Sequence, residues 1–180
     1  MAAIIGLPAQ AVADLVAEAN ADAPAVWIAN DNAPGQIVLA GRAAALERAL
    51  ALARERGVKR AVPLAVSVAC HTPLMAPAAE RLANALEQTP LVRPWTPVLQ
   101  NATACATSDP VELRAALLQQ LTAPVRWVES IQSARASGVD TFVEIGPRSV
   151  LAGLIGRIDS SATVHTLTDA DALRAFAWED

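Results

Sequence analysis

Val66-Ser67-Val68-Ala69-Cys70-His71-Thr72-Pro73-Leu74-Met75 is the stretch that decides the fold, because two kinds of secondary structure meet in it. The residues from Ala61 to Cys70 are almost all apolar and rich in valine, which predicts a strand buried on both faces. Thr72 is a suitable helix N-cap with proline after it, so we expect a helix over residues 74–87. His71 is then expected at a sheet edge, where its imidazole could serve as a general base.

The chain before this stretch alternates strands and helices in the order βαββαβ. The predicted elements are a strand at 2–7, a helix to about 21, strands at 26–29 and 36–40 around a turn cluster at 30–35, a helix at 43–56 closed by Gly57, and the strand ending at Cys70. This order over residues 1–66 is typical of a ferredoxin-like subdomain.

The chain after His71 alternates helices with single strands. We expect a strand at 95–101, a helix capped by Asp109 and broken by Pro124, a helix at 127–136, a strand at 141–145, a helix through Ile158, a strand at 164–167 and a helix at 170–178. Alternation of this kind predicts an α/β layer with parallel strand pairing. The expected fold class is therefore α/β, with an α+β small subdomain at 1–66 and a larger one at 67–180.

Charge and composition exclude several classes of function. The net charge of -4 and the lack of a basic stripe argue against a nucleic-acid partner. No apolar run reaches the ~18 residues of a membrane span, and the N-terminus lacks the basic flank of a signal peptide, so we expect a cytoplasmic protein. Two cysteines without CxxC spacing and only two histidines give no indication of a metal site.

Four motifs occur in a fixed order along the chain. They are Asn30-x-Asn32-x-Pro34-Gly35-Gln36, Ser67-x-x-x-His71-x-Pro73-Leu74-Met75, Gln120-Leu121-x-x-Pro124-Val125-x-Trp127 and Glu144-x-Gly146-Pro147. Together they resemble the second half of the malonyl-CoA:acyl carrier protein transacylases and of the related acyltransferase domains of polyketide and fatty acid synthases.

The resemblance implies an α/β-hydrolase-like acyltransferase that moves a malonyl group from CoA to an acyl carrier protein through an acyl-serine. Malonyl-CoA and the phosphopantetheinylated carrier protein would be substrates, and no cofactor is implied. His71 would be the base, oriented by the backbone carbonyl of Gln120. Because that role belongs to the main chain, we expect replacement of the Gln120 side chain to have little effect.

The resemblance also implies a set of binding residues. Amides facing the thioester-carrier cleft would come from Asn30, Asn32 and Gln36. The basic pair Lys59 and Arg60 would lie near the CoA phosphates and the acidic carrier protein, and Cys70 would help to select the acyl group. From the residues alone, the hairpin motif is also explained by turn formation, and the basic pair by a solvated junction.

The family's nucleophile lies in a Gly-x-Ser-x-Gly elbow, and no serine of this sequence has that setting. The oxyanion-hole loop and the arginine that binds the malonyl carboxylate are also missing. We therefore expect a fragment that is inactive alone and that has the missing N-terminal half as a possible partner. The alternatives are an acyltransferase domain of a polyketide synthase and a non-catalytic module that binds CoA or a carrier protein.

Overall fold

The computed structural model describes residues 1–177, which divide into two compact units, Met1–Ser130 and the residues from Ile131 onward. The strands are β1 Ala2–Ile5, β2 Val26–Ala33, β3 Gln36–Gly41, β4 Arg60–Pro63, β5 Val98–Leu99, β6 Ala106–Thr107, β7 Val125–Arg126, β8 Thr141–Ile145 and β9 Thr163–Leu167. The helices are α1 Ala9–Ala19, α2 Ala43–Glu55, α3 Ala76–Glu87, α4 Pro110–Thr122, α5 Trp127–Ala136, α6 Val150–Ile158 and α7 Ala170–Ala175, with a 3-10 turn at Pro73–Met75.

The first unit is built on a five-stranded sheet with the order β4-β1-β3-β2-β7. The first four strands pair antiparallel, and β7 joins the far edge parallel to β2. The mixed α/β class is therefore confirmed. The predicted helices at 43–56 and 127–136 are confirmed as α2 and α5.

The two faces of this sheet are covered by different parts of the chain. Alternation along β3 directs Ile37 and Leu39 into a core shared with α1 and α2, and Val38 and Ala40 into a second cluster on the opposite face. Ala69 packs on that second cluster. The segment that leads to His71 is therefore held against the side of the sheet that the two helices do not cover.

The expectation of a long buried strand at 61–70 is wrong. Strand β4 ends at Pro63 because its antiparallel partner β1 begins at Ala2, and the last ladder bond runs from Leu64 N to the Met1 oxygen at 3.0 Å. The residues beyond lack a partner on β1. Their alternate apolar side chains, Leu64, Val66 and Val68, are exposed instead of buried, and so is Val62 within β4.

Three other boundaries differ from expectation. The residues at 30–33 continue β2 up to a two-residue turn at Pro34-Gly35, where Gly35 has φ 70°. Of the strand expected at 95–101, only the two residues of β5 form a strand, and they pair with β6, which was not predicted. The helix after His71 begins as the 3-10 turn and becomes α3 only at Ala76.

The second unit pairs β8 with β9 in parallel, which confirms the expected arrangement of these strands. Glu144 on β8 accepts hydrogen bonds from Leu151 N at 3.0 Å and Ala152 N at 2.7 Å, in the first turn of α6. Helix α7 ends at Ala175, and the expected end at Trp178 lies outside the described residues. Within residues 1–177, no helix is both long and apolar enough to cross a membrane.

Candidate active site around His71

His71 has a left-handed backbone conformation, with φ 61°. Such a conformation is uncommon for a residue with a Cβ, although histidine is among the types that adopt it most readily. The next residue fixes it: the fully buried Thr72 donates through Oγ1 to the Ala69 oxygen at 2.7 Å and accepts from Leu74 N at 3.3 Å. The predicted N-cap role of Thr72 is thereby confirmed, for the 3-10 turn.

The imidazole of His71 contacts the end of α4. Its Nδ1 lies 2.7 Å from the backbone oxygen of Gln120. A carbonyl oxygen only accepts hydrogen bonds, so this contact requires the proton on Nδ1. In the neutral ring Nε2 then carries the free lone pair, which is the state that a general base requires.

The local sequence explains why this carbonyl is available. Gln120 belongs to the last turn of α4, whose carbonyls have no partners within the helix. Its partner in a longer helix would be the N–H of residue 124, which is a proline and has none. Ala123 is already extended, with φ -112° and ψ 152°, as expected before a proline.

Asn101 joins the two ends of the connection from α4 to β7. Its Nδ2 donates to Gln120 Oε1 at 3.2 Å, and its backbone oxygen accepts from Arg126 N at 2.9 Å. Sequence reasoning missed Asn101, because it lies in an irregular loop and in none of the four motifs. It also missed β7, since a two-residue parallel strand has no periodicity to detect.

Asn30 and Asn32 lie in a bulged part of β2. The register against β3 shifts between Ile28 and Asn30 and again between Asp31 and Ala33. Asn32 is therefore an extra residue of β2 with no residue opposite it on β3. Asn30 is paired with Val125 of β7, so the connection that leads from the end of α4 ends beside Asn30. Bulges of this kind redirect side chains and occur often beside active sites.

The hairpin turn and the basic pair are brought together through Gly6. Gly6 N donates to the Gly35 oxygen at 2.8 Å, and a Cβ on Gly6 would lie only 2.6 Å from Lys59 Cγ. The stem of Lys59 therefore lies over Gly6, beside the turn that leads into Gln36. Lys59 and Arg60 are both exposed, which suits contact with an anionic partner.

An ion pair flanks the site at β7. Arg126 donates to Glu129 through Nε at 2.8 Å and also through Nη2, and this bonding lowers the pKa of Glu129 and raises the pKa of Arg126. Asp31 pairs with Arg126 in the strand register. Burial, with a smaller contribution from Glu129, raises the pKa of Asp31.

The remaining predicted residue, Cys70, directly precedes His71 and is half-buried with a free thiol. Among residues 1–177, no group of three or more His, Cys, Asp or Glu side chains is arranged to hold a metal ion. The site as described consists of an oriented imidazole, a carbonyl and surrounding amides.

Comparisons with known proteins identify the family of this chain. Residues 6–178 match the family model described as the acyl transferase domain. Malonyl CoA-acyl carrier protein transacylases of Haemophilus influenzae and Bacillus subtilis are 43% and 39% identical to the chain over 175 and 173 residues, or 97% and 96% of it. The chain spans only 56% and 55% of the length of these two curated relatives.

Solved structures give the same result. An acyl carrier protein S-malonyltransferase of Vibrio cholerae has a TM-score of 0.91 and 42% identity, over 97% of this chain and 56% of that one. A malonyl-transacylase solved in complex with a type II PKS acyl-carrier protein has a TM-score of 0.91 and 39% identity, over 96% of this chain and 56% of that one. The chain therefore belongs to the acyl transferase domain family.

Proposed function

We propose that this chain is the histidine-bearing part of a malonyl-CoA:acyl carrier protein transacylase of fatty acid biosynthesis. The observation that carries the proposal is the 2.7 Å contact between His71 Nδ1 and the Gln120 oxygen, which leaves Nε2 free to accept a proton. The names of the relatives, at about 40% identity, support the same chemistry.

In the proposed reaction, Nε2 of His71 removes the proton of a serine hydroxyl as its oxygen attacks the malonyl thioester. The imidazolium then returns that proton to the departing CoA thiolate. In the second half-reaction the ring takes the proton of the phosphopantetheine thiol, which attacks the acyl-serine. The proton finally returns to the serine oxygen. The Gln120 carbonyl holds the ring in the required tautomer throughout.

We also propose substrate-binding roles for the residues around His71. Amides of Asn30, Asn32 and Gln36 would donate to the pantetheine or thioester oxygens. Lys59 and Arg60 would attract the CoA phosphates and an acidic carrier protein, and Cys70 would contact the acyl group. The carrier complex of one relative supports a carrier protein as partner.

We also propose that residues 1–66 form a ferredoxin-like subdomain and that 67–180 belong to an α/β-hydrolase-like one. The antiparallel order β4-β1-β3-β2 supports the first assignment, although β7 joins the same sheet and the compact unit extends to Ser130. By the same family argument, the enzyme would work in the cytoplasm and need no cofactor.

The serine would lie in a segment equivalent to the part of the relatives that this chain does not match. Support comes from the apolar side chains between β4 and His71. Val66 and Val68 are 49% and 51% exposed, and Val68 lines an open groove of about 480 Å³ with Leu74 and Met75. Exposed apolar surface of this kind marks an interaction site.

The test is reconstitution. Purified 1–180 is mixed with malonyl-CoA and a phosphopantetheinylated carrier protein, with and without the N-terminal segment of the Haemophilus influenzae relative that contains the unmatched residues. We expect malonyl transfer only when both polypeptides are present. It should be lost in His71→Ala and retained in the control His165→Ala, which alters the other histidine of the chain.

Malonyl transfer by 1–180 alone would contradict the requirement for the segment that this chain does not match. Transfer by the pair that persists in His71→Ala would contradict the role of His71. Carrier binding without transfer, in any combination, would favour the alternative of a non-catalytic binding module, which the lack of a serine elbow in this sequence also allows.

A further inference from the structure

The carbonyl that orients His71 has no hydrogen-bond donor within its own helix. Gln120 lies in the last turn of α4, where residue 124 offers no N–H, and the chain turns away at Ala123. Helix ends of this kind fray readily. A contact from outside this last turn would help to keep the Gln120 oxygen 2.7 Å from the imidazole.

Asn101 is placed to do this. Its side chain donates to Gln120 Oε1 at 3.2 Å, while its backbone oxygen accepts from Arg126 N at 2.9 Å. It therefore holds the segment that contains the carbonyl on both sides, once before Pro124 and once after it. Within residues 1–177, the bond from Asn101 Nδ2 is the one hydrogen bond that Gln120 Oε1 accepts.

The loop that bears Asn101 is itself a closed structure. Gln100 N donates to the Cys105 oxygen at 3.0 Å, and Ala104 N donates to the Gln100 oxygen at 2.9 Å. Ala104 completes the loop in a left-handed conformation, with φ 54°. Arg126 Nη1 adds a bond to the Thr103 oxygen at 3.1 Å. A loop closed by these bonds can act as an anchor for the end of α4.

We propose that Asn101 is a positioning residue for the transacylase reaction: it holds the Gln120 carbonyl against His71 and so keeps the imidazole protonated on Nδ1 and basic on Nε2. The inference rests on the proposed function for its biological meaning. It changes one expectation from the sequence, because the side chain of Gln120 then contributes to the site through Asn101.

The experiment measures the tautomer of His71 directly and does not need activity. The chain is labelled with ¹⁵N-histidine, and long-range ¹H–¹⁵N correlation spectra are recorded at a pH where the rings are neutral. The only other histidine, His165, lies on β9 in the second unit and serves as an internal reference. We expect a pyrrole-type shift for His71 Nδ1 and a pyridine-type shift for its Nε2.

Asn101→Ala should move the His71 signals toward the Nε2-protonated tautomer that a free imidazole prefers, and leave those of His165 unchanged. Gln120→Ala should do the same, and the double variant should show no larger change than either single one, because the two side chains act as one pair. Asn101→Asp should restore the wild-type signature, since the Gln120 amide can rotate and donate to a carboxylate.

Gln100→Ala is the matched control, because its side chain donates to the Val98 oxygen in the same loop and does not contact Gln120. It should leave the tautomer unchanged whatever it does to stability. If Asn101→Ala fails to fold, Gln120→Ala decides the question. Unchanged His71 signals in the folded variants would overturn this inference alone. An Nε2-protonated His71 in the wild type would instead count against the site geometry on which the proposed function depends.

Discussion

At the scale of single residues, the feature that matters most is the backbone of His71. A left-handed conformation costs an L-residue about 1–2 kcal/mol, and here that cost falls on the residue whose side chain meets the Gln120 carbonyl. Strain of this kind persists where the surrounding structure enforces it, which Thr72 does through its two hydrogen bonds. The conformation is thus part of how the ring is aimed.

This strain can be measured with two variants that both lack the imidazole. In urea titrations, the free energy of unfolding should be about 1 kcal/mol higher for His71→Gly than for His71→Ala, because glycine adopts positive φ without a steric penalty. The control is the same pair at His165 in β9, where glycine weakens a strand and the order should reverse. Equal stability of the two variants at position 71 would mean that the backbone there is not strained.

At the scale of secondary-structure elements, Pro124 determines where α4 ends and which carbonyl remains free. Pro124→Ala supplies an N–H at the position that the Gln120 carbonyl would bond in a longer helix. We expect the amide that the substitution introduces at residue 124 to be protected from hydrogen exchange, and the His71 Nδ1 contact to weaken in the ¹⁵N-histidine spectrum. Pro110→Ala, at the first turn of the same helix, is the control and should leave His71 unaffected.

Rapid exchange at residue 124 together with an unchanged His71 signature would contradict this view. It would indicate that the pairing of β7 with β2, and not the proline, ends the helix.

The helices were predictable from the sequence because their signals are local. Asp109 and Pro110 mark the start of α4, and Val111 N does donate to Asp109 Oδ1 at 2.8 Å. The contacts that assemble the site are not local. Strand β7 forms only through its pairing with β2. Asn101 is hydrogen-bonded to Gln120, which lies 19 residues later in the chain. The run at 61–70 was wrongly predicted as buried because periodicity does not reveal whether a partner strand is present.

At the scale of the compact units, the second one contains a charged junction between α5 and the segment after α6. Arg135 on α5 donates through Nε to Asp159 Oδ2 at 2.6 Å, and Asp159 Oδ1 accepts from the Ser161 hydroxyl at 2.6 Å and from Ser161 N at 2.8 Å. The Ser161 hydrogen bonds, followed by that from Arg135, lower the pKa of Asp159 from 3.8 to about 2.

The sign of the pH dependence follows from this shift. A carboxyl whose pKa is lowered by folding stabilises the folded state fully above its unfolded value, and this contribution is lost as the pH falls through the folded value. The difference in urea midpoint between wild type and Asp159→Asn should therefore be largest above pH 4 and should shrink as the pH falls toward 2. Asp140→Asn, directly before β8 in the same unit, is the control. A difference that is constant from pH 6 to 2 would contradict the assignment.

The close approach of Lys59 to Gly6 restricts how this sequence can drift during evolution. Any side chain at position 6 would meet both an unfavourable φ of 100° and the aliphatic stem of Lys59. A lineage could tolerate a larger residue at position 6 only after shortening the one at 59, and would thereby lose an ammonium group beside the hairpin turn. Positions 6 and 59 should consequently covary in an alignment of homologous sequences.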